Sequence, residues 1–483
     1  MLFNSFQFAI FWIVVTSTYF LLPHRLRWLL LLVSSCYFYM VFKPIYILIL
    51  GFTIVIDYFA GIMIEQAEGA KRKQYLLYSL IANISVLAVF KYWNFFNENF
   101  SFLTQSLGFQ NPIPMLEILL PIGLSFHTFQ AMSYTIEVYR GHQKAERHFG
   151  IYALYVMFYP QLVAGPIERP QNVLHQYHEK HNFNYNNLVE GLKYMIIGFF
   201  KKVVIADQLA MMADVVYNNP TQHHGIPVIL ATFFFSIQIY CDFSGYSDIA
   251  IGTAKIMGFD LMDNFRVPYY STSISEFWKR WHISLSTWFR DYLYISMGGN
   301  RTSKPKWYFN LFFTFLVSGF WHGANWTFII WGAIHGFYLV FAIVTQDFRE
   351  KIIKGIGLIR VPFLLNLIQM FITYMLVCFA WIFFRARNVT DAFEIIRNIP
   401  KISLKNIDEQ VLSICSNKPE FLIAILAIFF LECIHQLQKR EHYSRNIFAS
   451  YPTWLRWSVF YIMIFMIILA GVQEGGNFIY FQF

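Results

Sequence analysis

Three histidines stand in the stretch Ser275 to Gly336, the part of the sequence whose residue types are best suited to chemistry. His282 lies in a polar, Trp-rich run, whereas His322 and His335 lie in the apolar run that follows. A neutral imidazole can take a proton from a hydroxyl or a thiol near pH 7. Titratable groups in runs that lie within a membrane are costly and usually line a cavity or take part in a reaction. This stretch is therefore the candidate reaction centre.

His322 is the best candidate for a general base. If the helix continues through it, Asn325 lies three residues on and shares its face, so that its amide N–H could stabilise a developing oxyanion. His335 follows thirteen residues later, which is about 220° around a straight helix and roughly 20 Å along it. His335 is therefore predicted to be structural and hydrogen-bonded to a neighbouring helix. His282 is on another element and is free to fold toward His322.

Other chemistries have weaker support in the sequence. His127, His282 and His322 could in principle converge, but no HxxxH or HExxH spacing is present, so no metal site is predicted. No G-x-S-x-G elbow is present either, which disfavours Ser-His-Asp catalysis. Asp242 and Asp248 flank a polar stretch in an apolar segment, and a packed polar network is predicted there.

Composition indicates an all-α, polytopic integral membrane protein. Of the 483 residues, 57% are hydrophobic and only 13% are charged, against about 25% in soluble domains. Roughly 11–13 hydrophobic segments are expected, including one at about 308–320 that runs into 321–346. The net charge of +9 is attributed to basic cytoplasmic loops and not to nucleic-acid binding. No cleavable signal peptide is expected, so the first segment should remain in the mature protein.

The distribution of basic residues predicts the orientation of the chain. Clusters at 25–27, 71–73 and 140–147 fall in alternate loops, which places the N-terminus outside and these loops in the cytoplasm. No connection is long enough for a separate catalytic domain, so residues 1–483 are predicted to form a single membrane domain with a catalytic core at about 116–346. The aromatic tail, 477–483, should pack into the helical bundle or lie in the interface. Tyr480 in this tail is either an anchor or a nucleophile.

Several stretches resemble the membrane-bound O-acyltransferase (MBOAT) family. The resemblance is to its bacterial branch, which contains the membrane subunits of alginate and peptidoglycan O-acetylation and the teichoic acid D-alanyl transfer protein. The matching motifs span most of the chain in order: LPIGLSFHTFQAMSYTIEVYRG (120–141), YPQLVAGPIERP (159–170), YCDFSGYSDIAIGTAKIMGFDL (240–261), FWKRWHISLSTWFRDYLYI (277–295), SGFWHGANWTFIIWGAIHG (318–336) and FIYFQF (478–483).

The resemblance implies an MBOAT fold, a ring of helices around a central funnel or tunnel. His322 matches the essential histidine of the family, and His282 matches its second motif histidine. No bound cofactor is implied; a thioester donor, acetyl-CoA or an acyl carrier protein, would enter from the cytosol. Nearby basic residues could contact the phosphates of the donor. These candidates are Lys279, Arg280, Arg290 and Arg301.

The tail resembles a motif that teichoic acid systems carry on a small separate membrane peptide, which makes Tyr480 a candidate acyl carrier. The resulting hypothesis is a membrane O-acetyltransferase of the bacterial cytoplasmic (inner) membrane. It would pass acetyl groups toward a cell-envelope polysaccharide through an exported SGNH-type acetyltransferase. Three alternatives remain open: a carrier-protein-dependent D-alanyl-type transferase, a transporter without covalent chemistry, and a structural assembly subunit.

Overall fold

The regular elements are all helical in the residues that the computed structural model describes, namely 1–117, 120–415, 417–440, 448, 450–472 and 478–479. This agrees with the predicted all-α class. Helices satisfy every backbone polar group internally, which is what a chain in lipid requires. The local sequence also supports their ends. Ser5 caps the first helix by accepting the N–H of Phe8 at 3.1 Å, and Gly141, at φ 78°, ends the helix that begins at Leu124.

Twenty-one α-helices follow one another in the part of the chain that the structure describes. The first ten are α1 (Phe6–Leu21), α2 (His24–Met40), α3 (Ile47–Gln66), α4 (Gly69–Leu87), α5 (Trp93–Ser106), α6 (Leu124–Arg140), α7 (Phe149–Met157), α8 (Pro170–Val173), α9 (Tyr185–Phe199) and α10 (Asp207–Asn218). The others are α11 (Ile226–Ile256), α12 (Ile274–Arg280), α13 (Ile283–Phe289), α14 (Lys304–His322), α15 (Trp326–Val344), α16 (Gln346–Gly355), α17 (Pro362–Arg385), α18 (Val389–Asn398), α19 (Ile407–Leu412), α20 (Lys418–Arg440) and α21 (Thr453–Ala470).

Shorter helical pieces join or interrupt these helices. Three are π-helical stretches, at Ala88–Tyr92, Phe200–Ala206 and Arg290–Tyr294. Four are 3₁₀ turns, at Pro44–Tyr46, Leu174–His178, Pro268–Tyr270 and Leu358–Arg360. π-Helical stretches are rare and occur often at functional sites.

The chain forms two compact units. Unit 1 contains Met1–Gly198 and Tyr246–Met262, and unit 2 contains Phe199–Gly245 and Asp263–Ile479. Helix α11 contributes to both. All three histidines of the candidate reaction centre belong to unit 2.

Seven helices among the described residues are long and apolar enough to cross a membrane: Pro44–Gln66, Gly69–Ser106, Ile226–Ile256, Trp326–Val344, Pro362–Arg385, Lys418–Gln438 and Thr453–Ala470. The sequence predicted 11–13 hydrophobic segments. The difference arises because several of those segments form helices that are shorter, such as α1 and α7, or more polar, such as α14. The integral membrane character stands on the seven long helices.

Helices α14 and α15 form a tightly packed hairpin. A Cβ atom on Gly332 would overlap the carbonyl oxygen of Phe315, and one on Gly336 would lie 3.0 Å from the Cα of Phe312. Small residues of this kind let two membrane helices approach closely. The sequence suggested a segment at about 308–320 that runs into one at 321–346. In the structure the first helix ends at His322 and the second begins at Trp326, so a break of three residues separates them.

Candidate active site

His322 is the last residue of α14 and is buried, with a relative exposure of 4%. Its ring lies among aromatic rings from three directions. The ring centroids of Trp321 and Trp331 are each 5.0 Å away, and that of Phe384 is 5.4 Å away. The histidine therefore stands at the turn of the hairpin, in surroundings that exclude bulk water.

His282 is fully buried and occupies the junction between α12 and α13. Its backbone is left-handed, with φ 44° and ψ 55°, a conformation that a non-glycine residue adopts only where its surroundings impose it. Asn264 supplies part of that constraint. Its carbonyl accepts the N–H of Ile283 at 2.9 Å, and its side chain accepts the hydroxyl of Ser284 at 2.9 Å.

The two motif histidines come together in the structure. The ring centroids of His282 and His322 are 6.4 Å apart, although forty residues separate them in the sequence. Phe243 packs edge-on against His282, with centroids 4.5 Å apart. Burial lowers the pKa of His282 well below its ordinary value, which favours a neutral ring. A buried neutral imidazole is suited to accept and return a proton.

His335 has the structural role that the sequence predicted. Its Nδ1 accepts a hydrogen bond from the indole Nε1 of Trp278 at 3.3 Å, and the residue is fully buried. Trp278 lies on α12, so this bond joins the hairpin to the element that leads to His282. The prediction that His335 bonds to a neighbouring helix is confirmed.

Asn325 does not share a helical face with His322. The chain leaves the helix after His322, and Asn325 caps α15 with its side chain, which accepts the N–H of Thr327 at 3.0 Å. Its amide nitrogen donates to the carbonyl of Arg387 at 3.0 Å. The predicted geometry was wrong because asparagine is favoured at the N-cap of a helix, where its side chain accepts a backbone N–H, over the helix interior. One of its two amide N–H groups is thus engaged, and its oxyanion role stays a prediction.

A cavity of about 360 Å³ lies in the same unit as the histidine pair, and neither His282 nor His322 is among its lining residues. It is bounded by α12, α13, the π-helical stretch that follows and the hairpin helices. Its lining includes Ile283, which follows His282, and Ser318, which is one helical turn before His322. Lys279 and Arg290 also line it, and both are exposed. The cavity thus combines a largely apolar wall with two cationic side chains.

The four basic residues that were predicted to contact the phosphates of the donor fall into two groups. Lys279 and Arg290 line this cavity, whereas Arg280 and Arg301 are not among its lining residues. Arg280 is paired with Glu276 at 2.6 Å, and Arg301 is exposed. Arg290 also contacts Asp291 through its Nε, at 2.7 Å.

The start of the aromatic tail packs into unit 2. Phe478 and Ile479 are both buried, in agreement with the expected packing of the tail. Tyr480 lies outside the described residues. The structure also shows no cluster of three or more His, Cys, Asp or Glu side chains suited to a metal within the ranges that it describes.

Sequence reasoning missed one buried charged cluster. Lys202 pairs with Asp207 at 2.8 Å and with Asp242 at 2.7 Å. The predicted polar network around Asp242 is thus present, but its main partner comes from another helix. The two adjacent lysines at 201 and 202 in an otherwise apolar segment were the signal that could have revealed it, because a lysine there needs a partner.

Comparison with known proteins now completes the identification. The fold and the site define a helical integral membrane protein with a buried histidine pair. Residues 142–384 match the model of the membrane-bound O-acyltransferase family, MBOAT. The chain belongs to this family, and it is an O-acyltransferase.

The similar proteins are all named for the transfer of an acyl group. The chain is 41% identical to the probable alginate O-acetylase AlgI of Pseudomonas aeruginosa, over 81% of this chain and 74% of that protein. It is 33% identical to the peptidoglycan O-acetyltransferase of Helicobacter pylori, over 94% of this chain and 91% of that protein. A more distant relative is the teichoic acid D-alanyltransferase of Streptococcus thermophilus, 31% identical over 45% of this chain and 56% of that protein.

Proposed function

We propose that this protein transfers acetyl groups from a cytoplasmic thioester, acetyl-CoA, toward a cell-envelope polysaccharide such as alginate or peptidoglycan. The observation that carries the proposal is the pair of buried histidines, whose ring centroids are 6.4 Å apart, in a unit that also contains a cavity with cationic side chains. The names of the alginate and peptidoglycan relatives support an acetyl group and a glycan acceptor. The D-alanyltransferase relative supports the second candidate, a transferase that uses a carrier-protein thioester.

In the proposed reaction His322 acts as the general base. It takes the proton of the attacking hydroxyl as that oxygen bonds to the thioester carbonyl carbon. The C–S bond then breaks, and the departing thiolate takes up a proton, which the imidazolium can return. His282 contributes a second imidazole next to the first. The aromatic rings around His322 keep water out, which limits wasteful hydrolysis of the thioester.

The acceptor of the first transfer is proposed to be Tyr480. Its phenyl ester would remain activated and pass the acetyl group to a serine of an exported SGNH-type acetyltransferase, which would then modify the glycan. This partner is proposed because no stretch of the sequence is long enough for an outward glycan-binding domain. The proposed location is the bacterial cytoplasmic (inner) membrane, with the N-terminus outside, from the positive-inside pattern of the early loops.

Incubation of the detergent-purified protein with radiolabelled acetyl-CoA tests the function. The wild type is expected to turn over the donor and to acquire label on the peptide that contains Tyr480, whereas Tyr480→Phe should carry no label there. Matched incubations with an acetylated carrier protein distinguish the two donors. Turnover of neither donor, with the partner present and the fold verified, would contradict the function. If Tyr480→Phe is active and the wild type carries no acetyl adduct, Tyr480 is not the acyl carrier. The remaining route is then direct transfer of the acetyl group from the donor to the partner.

The cavity makes a separate prediction about the donor. Replacing Lys279 and Arg290 together with alanine should raise the KM for acetyl-CoA about thirtyfold, since two charged contacts to phosphate of about 1 kcal/mol each at an exposed site sum to about 2 kcal/mol. The kcat should change little, because neither side chain reaches the reacting atoms in this proposal. Initial rates at varied donor concentration measure both constants.

Arg301→Ala is the matched control for this prediction. It removes an exposed cation from the same region of the sequence, and Arg301 does not line the cavity. Its KM should remain at the wild-type value. If the KM for acetyl-CoA rises equally in Arg301→Ala and in the double variant, the effect is a general one of removing positive charge. The cavity would then not be the donor site.

A further inference from the structure

The chain after α21 is held to unit 2 at two points. The N–H of Val472 donates to the carbonyl of Val203 at 3.0 Å, and the N–H of Ile479 donates to Oδ2 of Asp242 at 2.6 Å. Just before the first of these points, the side chain of Gln208 donates to the carbonyl of Ala470 at 3.3 Å, which fixes the end of the helix itself. The backbone is thus bound directly after α21 and again just before Tyr480 in the sequence.

Both docking points depend on one irregular stretch of helix. Val203 lies in the π-helical stretch Phe200–Ala206, where the departure from the regular hydrogen-bond pattern lets a carbonyl accept from another segment. The same stretch carries Lys202. The ammonium of Lys202 lies 2.7 Å from Oδ1 of Asp242, so the two oxygens of this carboxylate have different partners.

The charges around Asp242 explain why its carboxylate is a strong hydrogen-bond acceptor for the N–H of Ile479. Asp242, Lys202 and Asp207 are all buried, with relative exposures of 3%, 8% and 4%. A buried carboxylate is tolerated as an anion only when it is paired and hydrogen-bonded. The lysine supplies the opposite charge, and the charged oxygen that remains accepts a stronger hydrogen bond from a backbone N–H than a neutral acceptor would.

The docked segment reaches the neighbourhood of His282. Phe243 follows Asp242, and its ring contacts both the His282 ring, at a centroid distance of 4.5 Å, and the Phe478 ring, at 5.8 Å. The acceptor and the ring that touches the histidine are therefore adjacent residues of one helix. Any displacement of the tail from Asp242 would also uncover this ring.

We propose that Asp242, fixed by Lys202, is a positioning residue that docks the carboxyl-terminal tail beside His282. The docking itself stands on the contacts above. Its consequence for catalysis, the presentation of Tyr480 for acylation, rests on the proposed function.

Carboxypeptidase digestion of the detergent-purified full chain tests the docking, with intact-protein mass spectrometry as the readout. Asp242→Leu removes the acceptor and is expected to speed the loss of terminal residues about tenfold or more, the effect of losing a hydrogen bond to a charged group. Asp242→Asn retains an oxygen acceptor without the charge, so its rate should lie between those of the wild type and Asp242→Leu.

Asp207→Asn is the matched control, because it takes one carboxylate away from the same lysine without touching the tail. Its digestion rate should equal that of the wild type. Thermal unfolding of each variant shows whether the fold is retained. A wild-type digestion rate in folded Asp242→Leu would overturn the proposal. Equal acceleration of digestion in Asp242→Leu and Asp207→Asn would also overturn it, because the faster digestion would then reflect a general loss of stability and not the loss of the bond to Ile479.

Acetyl-CoA kinetics on the same variants separate docking from function. If docking presents the acceptor, folded Asp242→Leu should show a lower kcat for transfer with an unchanged donor KM. The digestion result depends on no enzymatic activity. A failure of the proposed acetyl transfer would therefore leave the docking measurement intact, and the two ideas can fail independently.

Discussion

His322→Ala is expected to lower acyl transfer by about 10²- to 10⁴-fold, the usual contribution of a general base. The ring of His322 is buried at the end of α14 and faces His282 at a centroid distance of 6.4 Å. Alanine removes the proton acceptor but leaves the surrounding rings of Trp331 and Phe384 in place. Donor turnover per folded molecule, measured with labelled acetyl-CoA and the partner present, gives the size of the loss.

His335→Leu is the matched control, since it removes another buried histidine from the same hairpin. Leucine leaves the indole N–H of Trp278 without the acceptor seen here, which should cost about 1–3 kcal/mol of stability. Its unfolding temperature should fall while the kcat of the folded fraction stays within a few-fold of wild type. Wild-type turnover by His322→Ala would show that His322 is not the base.

Gly332→Val should have the largest effect on stability. A side chain at this position would meet the carbonyl oxygen of Phe315 on the facing helix, and a backbone atom cannot move aside as a flexible side chain can. Overpacking of this kind costs typically 1–3 kcal/mol and sometimes more. Because the hairpin ends at His322, separation of its helices would also displace the candidate base. We expect a lower unfolding temperature in detergent and a matching loss of activity.

Gly51→Ala provides the comparison within the same molecule. Gly51 lies inside α3, and a Cβ there would have no other atom within 4 Å. Alanine should therefore be neutral or stabilise the helix by about 0.5–1 kcal/mol. Thermal unfolding of the two variants side by side distinguishes close helix contact from the general cost of replacing a helical glycine. An unfolding temperature for Gly332→Val equal to that of wild type would contradict the hairpin packing.

The class of the protein followed from the sequence because composition alone separates it from soluble chains. The bond from His335 to a neighbouring helix was also predicted, although the single straight helix assumed for His322 and His335 is not present, because the two residues lie on different helices. The convergence of His282 and His322 was only a possibility at that stage. It depends on the left-handed backbone at His282 and on the bonds from Asn264, neither of which has a periodic signature.

Two features of the structure were not predicted from the sequence, for different physical reasons. Asn325 was assigned to a helical face because the apolar pattern continues on both sides of it, although Gly323 and the asparagine itself together indicate a break and a cap. The docking of Ile479 on Asp242 joins residues 237 positions apart. A backbone donor leaves no trace in the identity of its residue, so no sequence pattern could have predicted that bond.

The unequal apolarity of the two hairpin helices has a consequence for biogenesis. Helix α15 qualifies as a membrane span by itself, with a mean hydropathy of 2.0, whereas α14 is not among the seven helices that do. The Asn310 amide and the Thr314 hydroxyl on α14 already bond to backbone carbonyls, and its one glycine, Gly319, packs against α15. We therefore expect α14, the helix that carries the candidate base, to enter the bilayer together with α15 during biogenesis.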